Sequence, residues 1–281
     1  MDDSFRLQLK FWGVRGSIPT PQPEYLGFGG NTTCLEVRVN EPRLTNQGPI
    51  IIDGGTGLRY LGLALMQEFG KQPQSLRILM THFHWDHIQG IPFFAPLYAP
   101  DNQIAFYSSR PADQIQDILD GQMSSPYFPV RFEHMAARRN FFHIDPELRI
   151  GDLTIRAFPM NHPQGATGYR LEHDGAVLVH ASDLEHGDPK FDRILLDHAQ
   201  NADVLIYDAQ YTPEEYASKQ GWGHSTWMEG VRMAREAKVK KLVLFHHDPG
   251  HDDGFMGKLV EQARRHFENT EAAVQGRQIV I

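Results

Sequence analysis

Apolar residues fall along the chain in two rhythms. Short runs rich in β-branched and aromatic residues recur at Leu7–Phe11, Leu35–Val39, Ile50–Ile52, Leu76–Met80, Leu153–Phe158, Ala176–His180, Val204–Tyr207 and Leu242–Phe245. Most are short and apolar throughout, as strands buried in a sheet are. Between them, helical spacing marks Leu58–Phe69, Ala112–Leu119, Phe191–Ala199, Thr226–Ala237 and Phe255–Phe267. Strands lead in the first half and strand–helix alternation strengthens in the second, which predicts an α/β class with helices outside packed sheets. No internal repeat, low-complexity tract or Pro/Gly-rich linker divides the chain, so residues 1–281 are read as one domain. The stretch Pro100–Gly151, with Ser124-Ser125-Pro126-Tyr127-Phe128-Pro129 inside it, is the least regular and is expected to form a flap or cover.

Polar residues able to bind metal follow nearly every strand-like run. Asp53-Gly54-Gly55, Thr81-His82, Asn161-His162, Ser182-Asp183, Asp208 and His246-His247 each stand where an apolar run ends. Residues so placed converge on one edge of a sheet, where loops carry function on a rigid scaffold. The composition adds fifteen histidines, several beside aspartate, and a formal charge of −8 that argues against a general nucleic-acid coat. A single cysteine, Cys34, excludes an internal disulfide and any multi-cysteine zinc site. The start MDDSFRLQLKFWG does not read as a signal peptide, and no segment approaches the roughly 18 apolar residues of a membrane span, so a cytoplasmic protein is expected.

The densest chemistry lies in Thr81-His82-Phe83-His84-Trp85-Asp86-His87. Alternation along an extended segment puts His82 and His84 on one side, and Asp86 and His87 at a following helix start can turn toward the same space. Four such ligands within six residues exceed what one catalytic zinc with an open position takes, so two metals are the natural reading. A His-rich surface turn is the bland alternative. Imidazole and carboxylate together suit zinc, manganese or iron.

The run matches the HxHxDH signature of the metallo-β-lactamase superfamily. Asn161-His162-Pro163, Ala181-Ser182-Asp183, Gly223-His224-Ser225-Thr226 and Leu244-Phe245-His246 resemble, in order, the transfer-RNA 3′-processing endonucleases (tRNase Z) and the related cyclic-phosphate phosphodiesterases. The resemblance runs from about Phe11 to the final helix. It implies a four-layered αββα sandwich with the active site at one edge of the two sheets. It also implies that His82, His84 and His162 hold one metal, that Asp86, His87 and His246 hold the other, and that Asp183 bridges them. His247 competes with His246, and Asp183 has the alternative of capping a helix. His224 would face the scissile phosphate as proton donor, oriented by Asp208, although Ser225 and Thr226 could simply cap a helix. Asp86, His224 and Asp208 are the expected catalytic residues. Asp53 would support the metals from behind. Gly29-Gly30-Asn31-Thr32-Thr33 stands open between a phosphate contact and a plain loop, and Arg15 between an anion contact and a salt bridge.

The function implied is that of a dinuclear phosphodiesterase with two divalent ions, zinc ahead of manganese or iron. Two cations about 3.5–4 Å apart make hydroxide available near neutral pH by lowering the pKa of a bridging water, and stabilise the charged oxygens of an in-line displacement. Small cyclic nucleotides or cyclic phosphodiesters are the expected substrates. The Gly- and Lys-rich arm of the RNA enzymes has no clear equivalent here, which places precursor transfer RNA second. A non-hydrolytic metal-binding sensor is the third reading. Oligomeric state stays open: the resembling enzymes are often dimers, and Trp222 or Tyr127-Phe128 could supply an apolar contact for a homodimer, with core packing as the alternative use of those residues.

Overall fold

The structure, a computed structural model, describes residues 5–41, 44, 47–144 and 146–281. Residues 1–4, the start of the segment read against a signal peptide, lie outside them. The first half runs β1 (Leu7–Gly13), β2 (Cys34–Val39), β3 (Ile50–Ile52), α1 (Gly57–Phe69), β4 (Ser75–Leu79), α2 (Trp85–Ile88), β5 (Gln103–Ser108), α3 (Ala112–Gln122) and β6 (Arg138–His143). The second runs β7 (Glu147–Ile150), β8 (Leu153–Met160), β9 (Ala166–His173), β10 (Ala176–Ala181), α4 (Pro189–Ala199), β11 (Val204–Asp208), α5 (Pro213–Tyr216), α6 (Trp227–Glu236), β12 (Lys241–Phe245), α7 (Asp253–His266), β13 (Thr270–Ala272) and β14 (Gln278–Val280).

The strands form two seven-stranded sheets, ordered β14-β1-β2-β3-β4-β5-β6 and β13-β12-β11-β10-β9-β8-β7. Each is antiparallel at one end and parallel at the other. Pairing is antiparallel from β14 to β3 and parallel from β3 to β6. It is likewise antiparallel from β7 to β10 and parallel from β10 to β13. The two halves therefore share one plan that their residues do not advertise as a repeat.

Side-chain alternation decides the layers. In β3, Ile50 and Ile52 enter the core between the sheets, while Ile51 packs outward with Leu58, Leu61 and Leu65 of α1. In β11, Val204 and Ile206 face the other sheet, while Leu205 and Tyr207 face Leu195, Val231 and Leu259 on α4, α6 and α7. A strand covered on both faces must be apolar at every position, which is why these runs are continuous. Each fully buried Ile or Leu contributes about 1.5–3 kcal/mol relative to exposure. The result is the expected helix–sheet–sheet–helix sandwich.

The segment 100–151, expected as a flap or cover, holds regular elements. It supplies β5, α3, β6 and β7, and its irregular portion narrows to 123–137. Its strands read poorly because β5 alternates buried and open positions and β6, at the sheet edge, carries Arg138 and Arg139. Among the described residues, no helix is long and apolar enough to cross a membrane.

Candidate metal centre and active site

The carboxyl ends of β3, β4, β8, β10, β11 and β12 open onto one edge, and each delivers a polar residue there. Asp53 follows β3, His82 the end of β4, His162 the end of β8, Asp183 the end of β10 and His246 β12, while Asp208 closes β11. Asp53, Asp183 and His246 have φ of 63°, 62° and 61°. This left-handed conformation costs about 1–3 kcal/mol for a non-glycine residue and persists only where the surroundings impose it. Three such residues at three strand ends turn their side chains out of the sheets and into the site.

Three groups of ligand atoms result. Nitrogens of His82, His84 and His162 form one, atoms of Asp86, His87, Asp183 and His246 a second, and atoms of Asp183, Asp208, His224 and His246 a third that shares two members with the second, each within 4.8 Å of one another. Asp183 stands between the first two: its Oδ1 lies 3.2 Å from His246 Nε2 and 3.8 Å from His82 Nε2, and its Oδ2 lies 3.2 Å from His87 Nε2. It caps no helix, since α4 is capped by Asp188. The donor set fits divalent cations, and the ring orientations are consistent with this. His87 Nδ1 donates to Asp53 Oδ2 at 2.9 Å, His246 Nδ1 to Gln210 Oε1 at 2.9 Å, and His162 Nδ1 to Gly223 O at 2.8 Å. His82 Nδ1 lies 3.1 Å from Thr81 Oγ1. With the outer nitrogens occupied, Nε2 of His82 and of His87 is buried without a hydrogen-bond partner, an arrangement that is costly unless a metal takes the lone pair.

Electrostatics agree. Burial, then the neighbouring His87, pushes the His82 imidazole well below its ordinary range, leaving it in the neutral form that ligates. Burial alone would raise Asp183 and Asp86, but the histidines around them hold both carboxyls well below the usual range. Against the same burial, the carboxylates draw His246 up to about 9 and His87 well above its ordinary value. Protons gather where cations would.

His224 enters only the third group, beside Asp208. Its Nδ1 donates to Asp208 Oδ2 at 2.9 Å, and its ring stacks on His246 at 4.8 Å and meets His162 edge-on at 5.3 Å. Thr226 does cap α6, as the alternative allowed, while Ser225 bonds Tyr207 and His186. Glycine is required beside His162: Gly223 has φ of 87°, and a Cβ there would sit 2.5 Å from His162 Nδ1. Gly16 is equally constrained, since its Cβ would lie 2.4 Å from the His246 ring. A cleft of about 500 Å³ opens beside His82, with Ser109, Arg110 and Gln164 on its polar side and Phe158, Met160 and Phe191 on its apolar side.

Three expectations resolve differently. His247 turns away, donating Nε2 to Ala273 O at 2.8 Å, so it faces neither metal nor substrate. Arg15 is fully buried and donates to the carbonyls of Gly29, Asp248 and His251, and among the described residues it forms no salt bridge. Thr32 and Thr33 are buried, with Thr33 Oγ1 3.0 Å from His87 Nδ1, so that loop braces a ligand from behind. Sequence reasoning missed Gln210, whose only signal is its position two residues past Asp208, and the Ser17 N–H, which donates to Asp86 Oδ2 at 2.8 Å.

Comparison with known proteins gives concordant findings. A family model for the beta-lactamase superfamily domain matches residues 49–247. A ribonuclease Z from Thermoplasma acidophilum is 22% identical over 94% of this chain and 93% of its own. Among solved structures, the metallo-beta-lactamase fold protein YhfI from Bacillus subtilis superposes with a TM-score of 0.71 at 19% identity, over 97% of this chain and 98% of its own. A diphosphatase from the PhnP family gives 0.70 at 17%, over 98% of each chain.

Proposed function

The chain belongs to the beta-lactamase superfamily, and from that premise we propose that this hydrolase is a dinuclear phosphodiesterase acting on small cyclic nucleotides or cyclic phosphodiesters. The observation that carries the reading is His224: a histidine whose Nδ1 is tied to the buried Asp208 carboxylate, in addition to the seven residues that would hold two ions, is more than metal storage or sensing requires. His82, His84 and His162 would hold one ion, Asp86, His87 and His246 the other, and Asp183 both, with zinc, manganese or iron acceptable to the set. Bound there, the ions would supply a nucleophile near neutral pH and neutralise charge on the phosphoryl oxygens. The chain's own residues do the rest. Asp208 fixes the His224 ring so that Nε2 faces the substrate and can pass a proton to the leaving oxygen. Asp53 and Gln210 hold His87 and His246 in the tautomer that leaves Nε2 to a metal.

Two features favour a small substrate. The cleft beside His82 is within the range of roughly 300–1,000 Å³ typical of small-molecule sites. Much of the segment 100–151 goes into β5, α3, β6 and β7, and the Gly- and Lys-rich composition of the RNA enzymes' arm has no clear equivalent in it. The relatives' name, ribonuclease Z, over nearly the whole chain favours a second reading, 3′ processing of precursor transfer RNA. A homodimer would cover Tyr127 and Trp222, whose side chains are exposed. Turnover by the metal-loaded protein of a 2′,3′-cyclic nucleotide panel and a nitrophenyl diester, beside a precursor transfer RNA, tests these readings. Hydrolysis of the small diesters with the RNA left intact is expected. Site-specific RNA cleavage without small-diester turnover would replace the first reading with the second.

A further inference from the structure

Glu185 belongs to no ligand group and has no part in the mechanism above, yet the site's segments meet at it. Its backbone N–H donates to Asn161 O at 2.7 Å, and its carbonyl accepts from Asn161 Nδ2 at 2.9 Å. The residue two past Asp183 is thereby paired both ways with the residue before His162. Its carboxylate reaches in the other direction. Oε1 accepts from Gly221 N at 2.7 Å and Tyr216 OH at 2.8 Å, and Oε2 accepts from Gly223 N at 2.9 Å. Since Gly223 O accepts from His162 Nδ1, the contacts close into a ring: Glu185, Gly223, His162, Asn161 and back to Glu185.

Besides this carboxylate, the loop so held is tied by Lys219, which packs over Tyr211 and lies 3.6 Å from Asp248. Ala217, Ser218, Gln220, Gly221 and Trp222 are exposed, so apolar burial contributes little there. Gly221 and Gly223 have φ of 84° and 87°, and their N–H groups both aim at the one carboxylate. Hydrogen bonds to an ionised acceptor are roughly twice as strong as neutral ones. A carboxylate with three donors is therefore a firm anchor for a loop that ends on His224.

We propose that Glu185 is a positioning residue: its carboxylate fastens the Gly221–His224 loop to the ligand segment at His162, so that His224 is held over the scissile phosphate. The proposal rests on the phosphodiesterase reading of His224. Placement is worth a great deal, because a displacement of about 1 Å can cost on the order of a hundredfold in rate.

The test is a double-mutant cycle on a nitrophenyl diester with metal content measured alongside, using Glu185→Ala, His224→Ala and the double variant. Glu185→Ala is expected to lower kcat by about tenfold to a hundredfold with KM changed less than about twofold. The double variant should be no more than about twofold slower than His224→Ala, because residues acting through one another are not additive. If Glu185→Ala does not fold, Glu185→Gln replaces it. The amide keeps only one accepting oxygen and is expected to show a smaller loss of the same kind. Additive losses, or a loss fully accounted for by missing metal, would overturn the proposal. An impaired His224→Ala beside an unimpaired Glu185→Ala would overturn it alone, whereas a fully active His224→Ala would remove the reading beneath it.

Discussion

Asp208→Asn isolates the arrangement on which the mechanism depends. The carboxylate is fully buried and accepts four hydrogen bonds. Oδ2 takes His224 Nδ1 at 2.9 Å and Asp183 N at 3.0 Å, and Oδ1 takes Gln210 N at 3.1 Å and Ser225 N at 3.2 Å. Asparagine has the same shape but only one accepting oxygen, so in either orientation two donors lose their acceptor and face an NH2 group. At about 1–3 kcal/mol for each buried group left unsatisfied, the variant should lose roughly 2–6 kcal/mol of stability without any cavity. If the NH2 group turns to His224, the ring must present a lone pair at Nδ1 and loses the tautomer that Asp208 imposes. Loss of a positioned acid or base typically costs about 10²–10⁴ in rate. Urea denaturation and steady-state kinetics on a nitrophenyl diester measure both effects. A stability change under about 0.5 kcal/mol together with an unaltered kcat would refute the reasoning, because it would mean that neither the backbone donors nor His224 relies on this carboxylate.

Two other perturbations separate neighbouring roles. His246→Ala should leave the protein unable to retain one of its two ions and reduce turnover severely. His247→Ala should keep both ions and lose stability, as read by elemental analysis and denaturation; the opposite pattern would reverse the assignment. Acid stability offers a check on the buried histidines outside the ligand set. Burial pushes His180 down to about 4, and burial followed by the charge of Arg15 pushes His247 down to about 3. Both stay neutral in the fold while the unfolded chain takes up protons below about 6.5. The sign follows: stability is complete above that pH and falls as pH drops from about 6.5 toward 4, by up to about 2.7 kcal/mol per pH unit from two protons. His180→Leu should remove one proton from the slope in the metal-free protein, and an unchanged slope would contradict the account.

How legible the fold was depended on where each strand lies. Ile50–Ile52, Val204–Tyr207 and Leu242–Phe245 are covered on both sides, so burial leaves a continuous apolar signal in the residues themselves. The strands that went unread are of other kinds. β6, β7, β13 and β14 stand at or next to the ends of the two sheets. β9 mixes Gly168, Arg170 and Glu172 into its run and is held by antiparallel pairing with β8 and β10. In the site, the polar residues at strand ends and the run His82–His87 marked metal chemistry, which limits the side chains that can serve, and the family resemblance implied the set His82, His84, Asp86, His87, His162, Asp183 and His246. Direction was not legible. Nothing in His246-His247 says which ring points inward; that is set by the φ of 61° at His246 and by the Ala273 carbonyl that receives His247. Arg15 stood open between an anion contact and a salt bridge because two of its carbonyl partners, Asp248 and His251, come from far along the chain. Glu185 carried no signal, since two of the three donors to its carboxylate, at Gly221 and Gly223, are backbone N–H groups that any sequence has.

The central claim is most directly tested by titrating the metal-free protein with zinc or manganese while following both the ions bound and the turnover of 2′,3′-cyclic nucleotides and a nitrophenyl diester. The account predicts that activity rises to its full value as two equivalents bind, and that His224→Ala binds the same two equivalents with little turnover. Saturation at two equivalents without hydrolysis of any phosphodiester, or full activity at one, would contradict it.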